Sequence, residues 1–101
     1  MSNKDILEHA TRYFKANYPG LMAESIVSFL VLIDLGEGAT VGDVARAVSM
    51  TEPQCYHYIA QLNIGSGAGL VKLENAGDGK NYVHLTDLGE AAKQAVQAAF
   101  A

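Results

Sequence analysis

The first third of the chain carries apolar residues at spacings of three and four, the period of an amphipathic helix. This stripe predicts a first helix from Asn3, its N-cap, to about Tyr18, and Pro19-Gly20 ends it. A second helix is predicted from Leu21 to Leu35. It is apolar on most of its faces, so we expect it to be buried centrally or shared with a partner chain. The stripe of the first helix consists of Ile6, Leu7, Ala10, Tyr13, Phe14 and Asn17.

Two short helices separated by a tight turn are predicted next. Thr40 can cap the first of them, with Asp43 three residues later in its first turn, and Ser49-Met50 forms the turn. Thr51 and Gln54 have the spacing of a capping box at the start of the second helix. The predicted inner face of the first helix consists of Val41, Val44, Ala45 and Val48.

The second of these short helices has one apolar and one polar side. Its apolar positions follow the spacing i, i+3, i+4 and i+7, which indicates a single buried stripe made of Cys55, Tyr58, Ile59 and Leu62. The opposite side is expected to expose Gln54, His57 and Gln61, with Tyr56 on its flank. This polar side is the candidate binding face of the molecule.

A hairpin of two strands follows a glycine-rich connection. The connection, Ile64–Gly69, is predicted to be flexible. Alternating apolar and polar residues then predict strands over Leu70–Glu74 and Asn81–Thr86. Asp78-Gly79 between them is a strong signal for a hairpin turn. The tip of the chain's only predicted hairpin therefore lies near Asp78.

The last predicted element is a helix from Asp87 to about Phe100, which Thr86 can cap. The resulting fold class is mostly α with a small β part (α+β), with about five helices and a two- to three-stranded antiparallel sheet. We expect residues 1–101 to form a single domain. Its predicted parts are N-terminal helices (1–36), a helix–turn–helix (39–63), a hairpin (69–86) and a C-terminal helix (87–101).

Three segments resemble the MarR-type winged helix-turn-helix regulators. Ala39–Ala45 is similar to the family's entry into the helix–turn–helix, and Met50–Leu62 is similar to its recognition helix. Gly69-Leu70-Val71, followed by Leu85-Thr86-x-x-Gly89, is similar to the two ends of its wing. The resemblance covers Phe29 to Ala91, about two thirds of the chain. It implies a winged-helix fold, a homodimer and a regulator that binds double-stranded DNA.

The resemblance also implies roles for individual residues. Gln54, Tyr56 and His57 occupy the positions that read DNA, and Lys72 and Lys80 become wing contacts. The helix N-terminus at its cap would hold a phosphate. The full expected DNA-binding set is Thr51, Gln54, Tyr56, His57, Gln61, Arg46, Lys72 and Lys80.

Some features depart from the family pattern. Asn63–Ala68 resembles an insertion between recognition helix and wing, and the wing tip Asp78-Gly79-Lys80 keeps one basic residue. The C-terminal helix is shorter than the helices through which the family dimerises. Proteins of this family often bind small phenolic molecules, but this sequence shows no polar cluster that would select one.

Charge changes the expectation for affinity. The chain carries a net charge of −4, and Gly38–Thr86 holds three basic residues against four acidic ones. Because non-specific DNA affinity comes mostly from neutralising phosphates, a monomer should bind weakly and useful affinity should need a dimer. The acidic balance also leaves an alternative open. This would be a winged-helix protein–protein interaction module, of phage or mobile-element type, that has lost DNA binding.

The sequence gives little support for catalysis, metal binding or a cofactor. Cys55 is the only cysteine, the histidines lie far apart without metal-ligand spacing, and no nucleophile–base pair is evident. We therefore expect no enzyme activity, no metal and no cofactor. The longest apolar stretch, Ile26–Leu35, is about half the length that spans a bilayer. With polar first residues in place of a signal peptide, these features predict a cytoplasmic protein without a membrane partner.

Overall fold

A computed structural model of the chain describes residues 3–98, and its elements follow the predicted order. The elements are α1 (Asn3–Asn17), α2 (Ala23–Leu35), α3 (Val41–Val48), α4 (Glu52–Ala60), β1 (Val71–Asn75), β2 (Asn81–Leu85) and α5 (Asp87–Ala98). The predicted fold class, mostly α with a small antiparallel sheet, is confirmed. The predicted cap at Asn3 and the predicted inward direction of Ile6 and Leu7 concern side chains that are not described, and the predicted helix end at Phe100 lies outside residues 3–98.

The connection between α1 and α2 is longer than predicted. α1 ends at Asn17, and α2 begins at Ala23 instead of Leu21. The Leu21 N–H donates to the Tyr18 carbonyl (3.1 Å), which places Leu21 in the turn, and Met22 is extended at the N-cap position. Because Met22 offers no capping oxygen, nothing in the sequence marks the true start of this helix.

The apolar helix α2 lies between the other helices and contacts α1, α3 and α4. Phe29 on α2 meets Phe14 on α1 edge to face with ring centroids 5.5 Å apart, an arrangement that aromatic rings favour. Two serines of α2, Ser25 and Ser28, are also fully buried. Central burial therefore accounts for the apolar character of α2, with Met22 and Leu35 exposed at its ends.

The length and hydropathy of a helix determine whether it can span a membrane. α2 has the most apolar sequence of the five helices described here, and it has only 13 residues. Within residues 3–98, no helix is both long enough and apolar enough to cross a membrane.

The predicted helix–turn–helix is formed by α3 and α4, and both helices begin with a capping box. The Thr40 hydroxyl accepts from the Asp43 N–H (3.1 Å), and the Asp43 carboxylate accepts from the Thr40 N–H (3.0 Å). Thr51 and Gln54 make the equivalent two bonds at 3.4 and 3.1 Å. Ser49 in the turn adopts a left-handed conformation with φ of 59°. The buried side chains of the two helices are Val41, Val44, Ala45, Cys55 and Ile59.

The predicted hairpin forms, and we call residues 71–85 the wing. β1 and β2 pair antiparallel over five residues each, and the loop between them contains Asp78-Gly79. A third segment adds one bridge, because Thr40 pairs with Tyr82 and the Val83 N–H donates to the Ala39 carbonyl (3.0 Å). The wing is therefore attached to the start of α3.

The contact between α5 and the start of the wing explains the Thr86-x-x-Gly89 spacing. The Thr86 hydroxyl accepts from the Gly89 N–H (3.1 Å), which confirms Thr86 as the cap of the last helix. A Cβ at Gly89 would lie 2.0 Å from the carbonyl oxygen of Leu70, so only glycine fits there. The motif combines a cap with a close approach of two backbones.

The segment Ile64–Gly69, predicted to be a flexible connection, is hydrogen-bonded to the end of α4. Its Ser66 hydroxyl donates to the Ala60 carbonyl (2.9 Å), and the Ala68 N–H donates to the Gln61 carbonyl (2.9 Å). These bonds satisfy carbonyl groups that the end of α4 leaves without partners inside the helix. Glycine content alone suggested flexibility, whereas the segment serves as a C-terminal cap.

Candidate nucleic-acid interface

The exposed side of α4 carries three of the predicted reading residues. Gln54, Tyr56 and His57 are all exposed, and Tyr56 keeps 42% of its surface accessible. The His57 ring lies edge-on to the ring of Tyr58 with centroids 5.3 Å apart, which restricts its orientation. The structure thus exposes Gln54 and His57 on one side of a short helix, with Tyr56 exposed on the flank of that side.

The Gln54 side chain is already used at one of its two ends. Its Oε1 accepts from the Thr51 N–H as half of the capping box (3.1 Å). A glutamine that pairs bidentately with adenine needs both its oxygen and its amide NH2 group. The NH2 group takes no part in the capping bond and remains available to an acceptor. Bidentate pairing would require the Gln54 oxygen to be shared with, or released from, the cap.

The start of α4 is a weaker anion site than the sequence suggested. Thr51 is exposed as predicted, but its hydroxyl accepts from the Gln54 N–H (3.4 Å), and Pro53 has no N–H to offer. Glu52 adds an exposed carboxylate at the same helix end. Negative charge there stabilises the helix through its dipole, and it also repels a phosphate. The capping box and Glu52 therefore leave little capacity for a phosphate at this end.

Arg46 is exposed, but its charge is compensated. Its guanidinium donates to the carboxylate of Asp43 one turn earlier on α3. The backbone and hydroxyl bonds from Thr40 lower the pKa of Asp43, and Arg46 lowers it further, so this carboxylate stays charged at neutral pH. Arg46 and Glu52 also flank Gly42, where a Cβ would lie 3.6 Å from each side chain.

The two predicted wing lysines occupy different places. Lys80 lines a polar groove of about 330 Å³, together with Arg46, Asp43 and Glu52, between α3, the start of α4 and the wing. Lys72 is exposed on β1 opposite His84 and does not line that groove. The structure therefore brings Arg46 and Lys80 together beside the start of α4, in company with two acidic residues.

The wing tip is ordered by an aspartate. The Asp78 carboxylate accepts from the Lys80 N–H (2.9 Å) and from the Tyr82 hydroxyl (3.0 Å). The bond from Lys80 and then that from Tyr82 lower the pKa of Asp78, and Asp78 in turn raises the pKa of Tyr82. Asp78 thus fixes the backbone that carries Lys80.

Gln61 does not lie on the exposed face, so its predicted place among the reading residues is wrong. It follows the last residue of α4, and its side chain turns towards α2. Its Oε1 lies 2.9 Å from the hydroxyl of Ser25, and its Nε2 donates to the sulfur of Met22 (3.2 Å). α4 ends at Ala60, so extending its helical period to Gln61 gave the wrong direction.

Two residues with a bearing on the interface were missed from the sequence. Glu52 stands exposed at the first turn of α4, and its position beside a capping residue would have revealed it. Ser25 is buried against the end of α4, and its only signal is a small polar residue within an apolar helix. Pattern analysis treats such a residue as an interruption, although burial requires that its hydroxyl find a partner.

Other chemistry is limited in the described residues. Cys55 is buried, and its burial raises the pKa of the thiol above the ordinary range. A thiol in that state is a poor nucleophile. Across residues 3–98, no three His, Cys, Asp or Glu side chains lie together as a metal ion would require.

The helix–turn–helix, the wing packed beside it and the exposed side of α4 define a winged-helix protein. Among solved structures, the chain is similar to MepR, "a transcription regulator of the Staphylococcus aureus multidrug efflux pump MepA". The TM-score is 0.69 at 17% identity, over 96% of this chain and 69% of MepR. The S. aureus MepR–DNA complex gives a TM-score of 0.63 at 17% identity, over 96% and 68% of the two chains.

At this identity the likeness establishes the fold, which is the winged helix that the MarR-type resemblance implies. Both matched structures are those of a transcription regulator and not of an enzyme. No protein-family model matches the sequence, and no curated protein matches it either.

Proposed function

We propose that this protein is a transcriptional regulator that binds double-stranded DNA sequence-specifically as a homodimer in the cytoplasm. One observation carries the proposal: a capped helix exposes Gln54 and His57 on one side, with Tyr56 on the flank, beside a wing that presents Lys80. The fold shared with a transcription regulator whose DNA complex is known supports it. Residues 1–101 act as one domain in this proposal.

The reading face would enter the major groove. Each base pair shows a distinct pattern of donors and acceptors there, which the amide of Gln54 and the imidazole of His57 can address. Tyr56 adds a hydroxyl on the flank of the same face. Lys72 and Lys80 would contact phosphates from the wing, and such contacts position the protein without reading sequence.

A dimer follows from the charge. Each subunit has few uncompensated basic residues near the reading face, because Asp43 neutralises Arg46. Two subunits double the phosphate contacts and let two recognition helices reach adjacent turns of the duplex. The helices α1, α2 and α5 are the proposed dimer surface, where Met22 at the N-cap of α2 and Leu35 at its last position are exposed apolar residues.

The test begins with selection of DNA from a random-sequence pool by the purified wild-type protein. Fluorescence anisotropy then measures affinity for the selected site and for a scrambled duplex at low and physiological salt. Replacing Gln54 and His57 together by alanine should abolish preference for the selected site. The control is the same variant on the scrambled duplex, which it should bind as wild type does, because phosphate contacts do not involve these two side chains. Survival of the preference in this variant would show that the assigned face is wrong.

The mixed charge of the groove beside α4 favours a second candidate function. Asp43 and Glu52 lie next to Arg46 and Lys80, which would suit a protein partner with both charges. In that case the protein is an interaction module that uses the same fold without DNA. Absence of any DNA binding at low salt, with a folded protein, would favour this second candidate over the first.

A further inference from the structure

The end of α4 is tied to the start of α2 by a group of polar contacts. Ser25 has no exposed surface, and its hydroxyl lies 2.9 Å from the Tyr58 carbonyl and 2.9 Å from Gln61 Oε1. The Tyr58 hydroxyl donates to the carboxylate of Glu24 (3.4 Å), and the Gln61 amide donates to Met22 (3.2 Å). Four consecutive residues of the chain, 22–25, thus supply three partners to the last turn of one helix.

The hydroxyl of Ser25 has directional consequences that an apolar side chain would lack. A buried hydroxyl must find hydrogen-bond partners, and hydrogen bonds weaken steeply when their geometry is distorted. Apolar contacts between α2 and α4 hold the helices together but tolerate rotation. The single proton of the Ser25 hydroxyl can be donated to the Tyr58 carbonyl or to Gln61 Oε1, which both lie 2.9 Å away in the last turn, and either bond opposes rotation of α4 about its axis.

The opposite flank of the same helix end is equally constrained. A Cβ at Gly67 would lie 2.0 Å from the carbonyl oxygen of Gln61, and the Ala68 N–H donates to that same oxygen. The segment 66–68 therefore presses on Gln61 from one side while Ser25 holds its side chain from the other. Gln61, expected to read DNA, is instead the residue through which both flanks grip the helix.

We propose that Ser25 and Gln61 are positioning residues that set the sequence specificity of the protein without touching DNA. The proposal rests on the proposed function. Turning a helix by roughly 20° about its axis moves a surface 5–6 Å away by about 2 Å. Base recognition tolerates only about 0.5 Å. A small release of this end of α4 would therefore misplace Gln54 and His57 while leaving phosphate contacts from the wing intact.

The experiment measures specificity apart from affinity and folding. Ser25→Ala and Gln61→Met are compared with wild type on the DNA site that the wild-type protein selects and on a scrambled duplex. We expect the ratio of the two Kd values to fall about tenfold or more in each variant, the size of one lost base contact. Binding to the scrambled duplex should stay within about twofold of wild type, because phosphate contacts are unchanged.

Ser28→Ala is the matched control. Ser28 is also fully buried on α2, but its hydroxyl donates to the Glu24 carbonyl of its own helix (2.8 Å). Towards α4 its hydroxyl faces the thiol of Cys55, a weaker hydrogen-bond partner than an oxygen. This variant should lose stability as Ser25→Ala does and keep the wild-type Kd ratio. Thermal unfolding of each variant checks that all are folded at the temperature of the binding measurement.

The outcomes are distinguishable. Wild-type Kd ratios in folded Ser25→Ala and Gln61→Met would overturn the positioning role and leave the proposed function standing. Equal losses in all three variants would mean that the contacts contribute stability alone, which also overturns it. A wild-type protein that selects no DNA would refute the proposed function and the positioning role together. Should Ser25→Ala not fold, the half-buried Gln61→Met carries the test.

Discussion

Gly89 shows how one residue can decide the attachment of an element. In a helix interior glycine is about 1 kcal/mol less favourable than alanine, so Gly89→Ala would improve local propensity. The added Cβ would meet the Leu70 carbonyl oxygen at 2.0 Å, however, and backbone on both sides leaves no room to yield. We expect the substitution to destabilise the protein by about 1–3 kcal/mol, the usual cost of overpacking. Urea denaturation followed by circular dichroism measures the change.

The control for Gly89→Ala is Gly20→Ala in the turn between α1 and α2. Nothing lies within 4 Å of a Cβ at Gly20, and its φ is not in the left-handed region. This variant should be neutral or slightly stabilising, because alanine restricts the unfolded chain. A Gly89→Ala protein as stable as Gly20→Ala would contradict the steric argument.

At the scale of elements, the helix starts were predictable where side chains cap them. Thr40 with Asp43 and Thr51 with Gln54 form the capping pairs that their spacing predicts, and Thr86 caps α5. Capping is local chemistry over three residues, so sequence alone carries it. The start of α2 has no capping side chain, and its prediction was off by two residues.

What could not be predicted depends on contacts distant in sequence. The side chain of Gln61 points towards Ser25, which is 36 residues away in the chain. No residue close to Gln61 in the sequence predicts this contact. The glycines of 65–69 suggested freedom, but Gly67 is glycine because the chain passes against the end of α4. The exposure of Gln54 and His57 was predictable, because they lie opposite a clear apolar stripe, and Tyr56 is exposed on its flank.

The capping box of α3 should make stability depend on acid pH. Hydrogen bonds from Thr40, with a smaller effect of Arg46, lower the pKa of Asp43 in the folded protein. The carboxylate therefore contributes stability above its unfolded pKa of about 3.9, and this contribution is lost as pH falls through the lower folded pKa. Asp43→Asn retains a capping oxygen but no titrating group.

We expect wild type to exceed Asp43→Asn in stability at pH 6, with the difference shrinking as pH falls below 4. Urea denaturation at a series of pH values between 3 and 7 measures this difference. A constant gap between the two proteins across that range would mean that the charge of Asp43 does not contribute.

At the scale of the whole molecule, charge compensation predicts a shallow salt dependence for DNA binding. Each phosphate contact contributes about −0.9 to the slope of log K against log salt concentration. If Lys72 and Lys80 act in both subunits and Arg46 does not, the slope of a dimer should be about −3.6. Anisotropy titrations over a range of salt concentrations measure it.

Single substitutions measure the contribution of each basic residue to this salt dependence in the same assay. Lys80→Ala should make the slope shallower by about 1.8 per dimer, whereas Arg46→Ala should leave it nearly unchanged because Asp43 already neutralises Arg46. A slope that drops equally in both variants would show that Arg46 leaves Asp43 to contact a phosphate.

The bridge between Thr40 and Tyr82 bears on whether the protein or the DNA changes shape when the two bind. Because the wing is hydrogen-bonded to the start of α3, we expect wing and recognition helix to move together. The distance between the recognition helix in one groove and the wing in the next would then be fixed. The nucleic acid then has to do the bending, and sequences that flex or narrow easily gain an advantage at base pairs the protein never contacts. Selected sites should accordingly share flexible steps or A-tracts flanking the bases that α4 reads.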